Sequence, residues 1–369
     1  TDTGINLLEP GDTPSENAQF LLFLCSVIKA VDDYQELLRI SVSSAGNDHR
    51  LGANEAPPAV VSMFLGDELT AILDAIEKDT AAASKDAEMM KIGVHVLPKF
   101  PKDSTDRNRT SPFAFTGNKF EFRMLGSSAS IADANIVLNT AVAESLKGFA
   151  DALENTDDFG RTLHEIIRKT VCEHKRILFN GNGYDYAWLV EAEKRGLANL
   201  ATTPDALSHY LDEKNIKLFT ENKIFSESEL RARCEIHFER YSKVVNIEAK
   251  TMADMARTMI LPAASKYKKF LLDTVTSARE NGIGAEYETE TAHEISRLTA
   301  EIYKNTKLLE RVNSEASAVA DVKERAFAYK EKVLPVMEAL RMAADTLEPL
   351  VAVEYRPYPD YGKLLFGVK

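Results

Sequence analysis

From Asp157 onward the sequence no longer contains runs with the two-residue alternation of a strand, and long helical segments follow one another to the C-terminus. This change of grammar limits the possible folds more than any other feature of the chain. Ser226-Glu227-Ser228-Glu229 has the form of a capping box, in which a serine and a glutamate satisfy each other's backbone donors, and it predicts a helix running to about Met259. Charged, alanine-rich segments follow near Ala285–Val312 and Glu315–Leu347. Long helices with polar faces and short connections predict helical hairpins or a bundle. No internal repeat of fixed period and no low-complexity tract interrupts them. We therefore expect a domain limit near residue 155, with residues 1–155 in one domain and 156–369 in a second, all-helical one.

The first part mixes helices and strands, so the predicted fold class is α+β. Thr13-Pro14-Ser15-Glu16 reads as a helix start, with Thr13 capping and Pro14 in the first turn. Phe20, Leu24, Val27, Ile28, Val31 and Leu38 then recur at helical spacing up to about Arg39. Ser41–Pro58 is rich in Gly, Asn and Pro and reads as a structured loop. Ala59–Leu65 has the composition of a buried strand, ended by Gly66. A helix near Glu68–Asp79, a strand at Ile92–Leu97 and a helix over Ile131–Leu153 follow.

With 369 residues, 44% of them hydrophobic, the chain can bury cores for two domains. Asp and Glu number 57 against 45 Lys and Arg, a formal charge of −12, which argues against general nucleic-acid binding because phosphate contacts need a basic face. A small anionic substrate stays open, since a few arginines in a cleft suffice. Cys25, Cys172 and Cys234 lie far apart, with no CxxC and no His at ligand spacing. That pattern argues against a disulfide framework or a structural zinc site, and for a reducing cytosol. No apolar run reaches the roughly 18 residues of a membrane span, and no signal peptide is recognisable; a cytoplasmic protein is expected, with no membrane partner. Thr1-Asp2-Thr3-Gly4 has no initiator Met and no element-starting signal, so the chain reads as an excised piece of a longer protein.

In Lys119-Phe120-Glu121-Phe122-Arg123 the side chains alternate, so Lys119, Glu121 and Arg123 share one face and Phe120 and Phe122 the other. A carboxylate between cations suits a site for both a metal and an anionic substrate: hard Mg²⁺ or Mn²⁺ takes oxygen ligands, and guanidinium forks match carboxylate or phosphate. A cross-strand salt-bridge ladder on a solvated face is the plainer account of this strand taken alone. Asp106-Arg107-Asn108-Arg109-Thr110-Ser111 adds cations beside hydroxyls, the composition that phosphoryl transfer needs to neutralise charge on the transferred group; a solvated turn is its plainer account. Arg50 and Glu55, in the run from His49 to Pro58, sit in a loop constrained by Gly and Pro, which suits a lid with a carboxylate at its tip or simply a surface loop.

Taken in order, Arg50…Glu55-Ala56-Pro57, Asn108-Arg109-Thr110-Ser111, Phe120-Glu121-Phe122-Arg123 and Asp133-Ala134-Asn135 resemble the second half of a glutamine synthetase catalytic domain. The wording Gly52-Ala53-Asn54-Glu55-Ala56-Pro57-Pro58 and Arg107-Asn108-Arg109-Thr110-Ser111-Pro112-Phe113-Ala114-Phe115 is similar to the type III family in particular. So are Asn182-Gly183-Tyr184 through Trp188, Glu191-Ala192-Glu193-Lys194-Arg195-Gly196-Leu197 and the ending Pro357-Tyr358-Pro359-Asp360-Tyr361. The resemblance covers essentially the whole chain. It implies the C-terminal part of a catalytic domain of antiparallel sheet plus helices, followed by an all-helical extension.

The same resemblance implies ATP-dependent ligation of ammonia to glutamate through a γ-glutamyl phosphate, with ATP and Mg²⁺ or Mn²⁺. A carboxylate is a poor electrophile, so ATP first turns it into an acyl phosphate, and divalent metals and arginines stabilise the transferred charge. By resemblance, Arg50 binds the glutamate carboxylate and Glu55 is the flap residue that shields the intermediate and helps deprotonate ammonium. Arg109 contacts the phosphate in transfer, Glu121 is a metal ligand, Arg123 faces the substrate glutamate, and Lys119 is a weaker candidate for the nucleotide. The family's large homo-oligomer, a dodecamer built as a double ring, is the implied assembly.

Two departures are visible. The Arg50-to-Glu55 spacing is one residue shorter than in the better-known types, and Ala114 stands where those types carry a second arginine. The small β-domain, further carboxylate strands and a metal-binding His motif of the family all belong before Thr1, so this chain alone is expected to be inactive or nearly so. The competing readings are a same-fold ligase joining glutamate to a larger amine, and a non-catalytic helical scaffold or regulatory relative. His164 and His174 read as surface or satisfied histidines, and Tyr184 and Trp188 as packing residues.

Overall fold

The computed structural model describes residues 1–53, 56–79 and 110–367. They form two compact units, Thr1–Cys234 and Glu235–Lys369. The expected strand Ile92–Leu97 lies outside the described residues.

The first unit opens with α1 (Ala18–Asp33), α2 (Gln35–Ser41) and α3 (Ala45–Arg50). α1 is apolar around most of its circumference, and such a helix must be covered on all sides; Phe20, Leu24, Cys25, Ile28 and Val31 are accordingly buried. It starts later than the capping-box reading placed it. Thr13–Asn17 form turns, and Asn17 is the cap: its Oδ1 accepts from Phe20 N at 3.0 Å while its Nδ2 donates to the Glu9 carbonyl at 3.2 Å. An asparagine bonded in both directions outcompetes a threonine cap four residues earlier. The helix also breaks at Tyr34, so the expected single helix is two.

Next come β1 (Met63–Phe64), α4 (Asp67–Glu77), β2 (Phe113–Phe115), β3 (Phe120–Phe122), α5 (Ala132–Glu154) and α6 (Phe159–His174). The three strands lie in the order β1-β2-β3. β2 and β3 pair antiparallel with Ala114 opposite Glu121, whereas β1 joins parallel, so the sheet is mixed. The run Ala59–Leu65 is buried except at half-buried Phe64, yet only Met63–Phe64 enters the ladder. Phe113 packs on Phe120 and Phe122 with ring centroids 5.1 and 5.8 Å apart, and Phe115 reaches Phe20 of α1 at 6.0 Å. The aromatic face of β3 thus points inward, leaving the charged face free for the site.

The unit closes with α7 (Tyr186–Lys194), α8 (Thr203–Leu207), α9 (Glu213–Glu221) and the start of α10 (Glu227–Met255). The stretch after α6 returns to the sheet: Leu178 bridges Met63, and Phe179 N donates to the Met63 carbonyl at 2.8 Å. The composition change near residue 155 therefore marks where strands stop. The compact unit that holds the sheet continues to Cys234.

In α10 the capping box forms as read: Ser226 N donates to Glu229 Oε2 at 2.8 Å. Within the second unit α10 passes through a π-helical turn, Ala256–Ile260, into α11 (Leu261–Glu280). α12 (Glu286–Ser317) is followed by α13 (Val322–Ala328), a second π-helical turn at Tyr329–Val333, and α14 (Leu334–Leu347). Both π-turns immediately precede a Leu-Pro pair, Leu261-Pro262 and Leu334-Pro335. Proline has no N–H to donate and its ring clashes with the carbonyl four residues back; a widened turn accommodates both without ending the helix. α12 packs against α11 and α14 through Ile295, Leu298, Ile302, Leu309 and Val312, the apolar stripe of a bundle helix. No helix among the described residues is long and apolar enough to cross a membrane.

One buried cation ties the first unit together. Arg39, 1% exposed, donates to Ser43 Oγ at 2.7 Å, to Asp48 Oδ1 at 2.8 Å and to the carbonyls of Leu200 and Ala201 at 2.8 and 3.2 Å. Asp48 in turn accepts from Thr203 N at 2.6 Å and Thr203 Oγ1 at 2.9 Å. Breaking a buried pair by removing one partner strands the other charge, so Asp48→Ala should destabilise the unit by about 3 kcal/mol. Urea unfolding of wild type and variant checks this, and an unchanged midpoint would mean that Arg39 finds its partners elsewhere.

Candidate active site

The β2–β3 hairpin sets the geometry of the charged face. Its turn, Thr116–Lys119, is closed by Thr116 N donating to the Lys119 carbonyl at 2.8 Å, and Gly117 takes the left-handed φ of +95° that other residues resist. Arg123 then donates to Glu121 Oε2 from Nη2 at 3.0 Å and from Nε at 3.2 Å. Lys119 Nζ stands 3.7 Å from Glu121 Oε1, with Thr116 Oγ1 at 3.5 Å from the same oxygen. Hydrogen bonding from the Arg123 guanidinium holds the Glu121 carboxyl below its ordinary value; burial opposes it, and the charges of Arg123 and Lys119 add to the lowering. One oxygen of Glu121 is thus committed to arginine, while the other has only longer contacts, on a side chain 42% exposed.

Arg50 arrives from α3, a short helix inside the segment read as a loop. Ser44 caps it, accepting from Asn47 N at 3.1 Å. Buried Asn47 donates to the carbonyls of Val42 and Met124 at 2.7 and 3.0 Å, and so binds α3 to the residues that follow β3. Arg50 Nη1 donates to the Met124 carbonyl at 3.0 Å and Nη2 to the Arg123 carbonyl at 3.4 Å. The structure therefore brings Arg50, Arg123, Glu121 and Lys119 to one strand and its C-terminal end. Glu55 and Arg109 lie outside the described residues. Ala114 pairs directly opposite Glu121, and the guanidinium beside that carboxylate is that of Arg123.

Sequence reasoning missed Asn47 and Asn180. Asn180 accepts from Leu65 N and Gly66 N, both at 3.1 Å, and donates to Thr70 Oγ1 at 2.7 Å and the Gly66 carbonyl at 3.3 Å. The only signal for it was the Asn-Gly-Asn-Gly composition of a turn.

A second cluster, Asp32, Asp33 and His174, has ligand atoms within 4.8 Å of one another. His174 Nδ1 is 2.9 Å from Asp32 Oδ2, but Arg176 Nε lies 2.9 and 3.1 Å from the two Asp32 oxygens. Arginine already neutralises the carboxylate a metal would need, so this is a structural ion-pair network, and His174 is a satisfied histidine. His164 is exposed, 3.4 Å from Asp79.

Comparison with known proteins decides the family. A family model described as the glutamine synthetase C-terminal domain matches residues 162–279. The type-3 glutamine synthetase of Dictyostelium discoideum is 43% identical over 376 residues, covering 99% of this chain and 51% of that protein. Glutamine synthetases of Butyrivibrio fibrisolvens and Bacteroides fragilis (strain YCH46) are each 41% identical, over 100% and 99% of this chain and 53% and 52% of their own lengths. This chain belongs to the glutamine synthetase family. It spans about half the length of the curated relatives it matches. The type-3 name of the Dictyostelium relative agrees with the type its motifs resemble.

Because Arg123 is the main cause of the low Glu121 titration, Arg123→Gln should return that carboxyl toward its ordinary range. A depressed carboxyl gives stability that is present above its unfolded value and lost as pH falls through the folded one. The variant should accordingly lack that contribution, so its stability should fall less than that of wild type as pH drops through the acid range. Carboxyl-carbon NMR titration of Glu121 checks the shift; an unmoved titration would transfer the effect to Lys119.

Proposed function

We propose that this chain contributes part of the active site of an ATP-dependent glutamate–ammonia ligase, which forms glutamine through a γ-glutamyl phosphate. The observation that carries the reading is an ionised, half-exposed Glu121 set between Arg123 and Lys119, with Arg50 bonded to the end of the same strand.

A divalent cation fits Glu121 as one hard oxygen ligand, since Oε1 is the less engaged oxygen and the carboxyl stays charged. The only group of three ligand-type residues among the described ones excludes Glu121, so it supplies one member of a larger set. Mg²⁺ or Mn²⁺ bound there would neutralise charge on the phosphates of ATP. In this reading Arg50 and Arg123 bind glutamate, Arg109 contacts the transferred phosphate, Lys119 the nucleotide, and Glu55 guards the intermediate and takes a proton from ammonium. Residues 1–155 are the catalytic part and 156–369 the helical extension, within which the matched family model falls. A cytoplasmic location and a large homo-oligomer, a dodecamer, complete the proposal.

In the protein at its full natural length, Glu121→Ala should abolish metal-dependent glutamine formation while leaving the assembly intact by analytical ultracentrifugation. Unaltered turnover would support a scaffold role instead. The chain of residues 1–369 alone should release no phosphate from ATP in the presence of glutamate and ammonium; robust release would contradict the partial-site reading.

A further inference from the structure

The loop after α6 ends against the site. An ideal Cβ placed on Gly183 would stand 2.0 Å from the Thr110 carbonyl oxygen, 3.1 Å from its carbon and 3.9 Å from Pro58 Cδ. No side chain fits there; the glycine is required for close backbone approach and not for an unusual φ. Thr110 leads directly into β2, and Pro112 accepts from Arg123 N at 2.8 Å, next to the Phe113–Phe122 pair.

The loop itself cannot retreat. Asn180 is bonded to the Leu65 and Gly66 backbone just after β1 and to Thr70 of α4, as described above. Phe179 stacks on Trp188 with centroids 3.8 Å apart and planes at 16°, and the Arg195 guanidinium lies 5.4 Å from the Trp188 ring. Arg195 Nη1 also donates to the Leu178 carbonyl at 2.8 Å. Backbone contact between a fixed loop and the approach to β2 makes Gly183 a stop that sets where β2, and hence β3, lies.

We propose that Gly183 is a positioning residue of the active site: it acts through the Thr110 backbone on the β2–β3 pair, and so fixes the Glu121–Arg123 arrangement. The helical extension thereby takes part in metal and glutamate binding. This inference rests on the functional reading given for Glu121 and Arg123.

The test uses the full-length protein with Gly183→Ala, and with Gly181→Ala as control. A Cβ at Gly181 would meet the Phe179 ring at 2.6 Å, a strain within the loop and not on Thr110. Mn²⁺ affinity is read from the free-ion EPR signal, glutamate KM and kcat from steady-state kinetics, and the Arg123 amide by hydrogen exchange. Gly183→Ala should weaken Mn²⁺ binding about tenfold, the usual effect of a residue that orients a ligand, raise glutamate KM more than it lowers kcat, and speed Arg123 exchange. Gly181→Ala should lower the melting temperature alone. If Gly183→Ala does not fold, Asn180→Ala, which frees the loop from Gly66, should show the same changes in weaker form. Equal behaviour of the two glycine variants, or wild-type exchange at Arg123, overturns the inference. Glu121→Gln with wild-type Mn²⁺ affinity overturns the functional reading instead, and the exchange data still judge Gly183.

Discussion

A guanidinium sealed from water needs acceptors in place of the water it has lost, and Arg39 makes four hydrogen bonds by gathering α2, α3 and the approach to α8 around itself. Its carboxylate partner, Asp48, sits two residues before Arg50 in α3, so the bond that neutralises a buried charge also fixes the helix that brings Arg50 to the end of β3. Asn47, on the same helix, fixes its other side to the Met124 carbonyl. With both in place α3 has little freedom to rotate. Arg50 then meets the end of β3 without needing a strong bond of its own.

The charged face of β3 is legible in five residues because strand alternation is a local rule: Phe120 and Phe122 go to the aromatic core on Phe113, so Lys119, Glu121 and Arg123 face away. The capping box at Ser226 is local too, and it appears in the structure with both partners in contact. What the sequence hid is set by distance along the chain. Arg39 meets Leu200 and Ala201, and Asn180 meets Gly66, across more than a hundred residues, and no spacing rule connects them. The helix start near Thr13 failed for a related reason. Two caps of similar quality lay four residues apart, and the tie of Asn17 to Glu9 decided between them.

An exposed ladder of like-spaced charges contributes little to stability, since water screens each pair. That argument applies to Lys119, which is 62% exposed and 3.7 Å from its partner. It does not apply to Arg123, which is 14% exposed, bonds one carboxylate oxygen twice, and lends its own carbonyl to Arg50. Within one strand, then, the two cations have different physical standing. Arg123 shapes the carboxylate, and Lys119 adds field to it.

Composition and packing divide this chain at different places, and the reason is physical. Strand-forming residues end near residue 155, but a sheet needs its exposed edge covered. The segment Leu178–Asn180 meets that need by bridging Met63 and binding the Leu65 and Gly66 amides. A stretch that reads as part of a helical appendage thus becomes the cover of the β1–β3 sheet. Once it is there, its backbone must fit against whatever lies beside β1, and the glycine at 183 is the consequence: the loop approaches Thr110 too closely for any side chain. Removing the strands from the second half of the sequence did not separate it from the first. It placed the cover of the sheet in the extension.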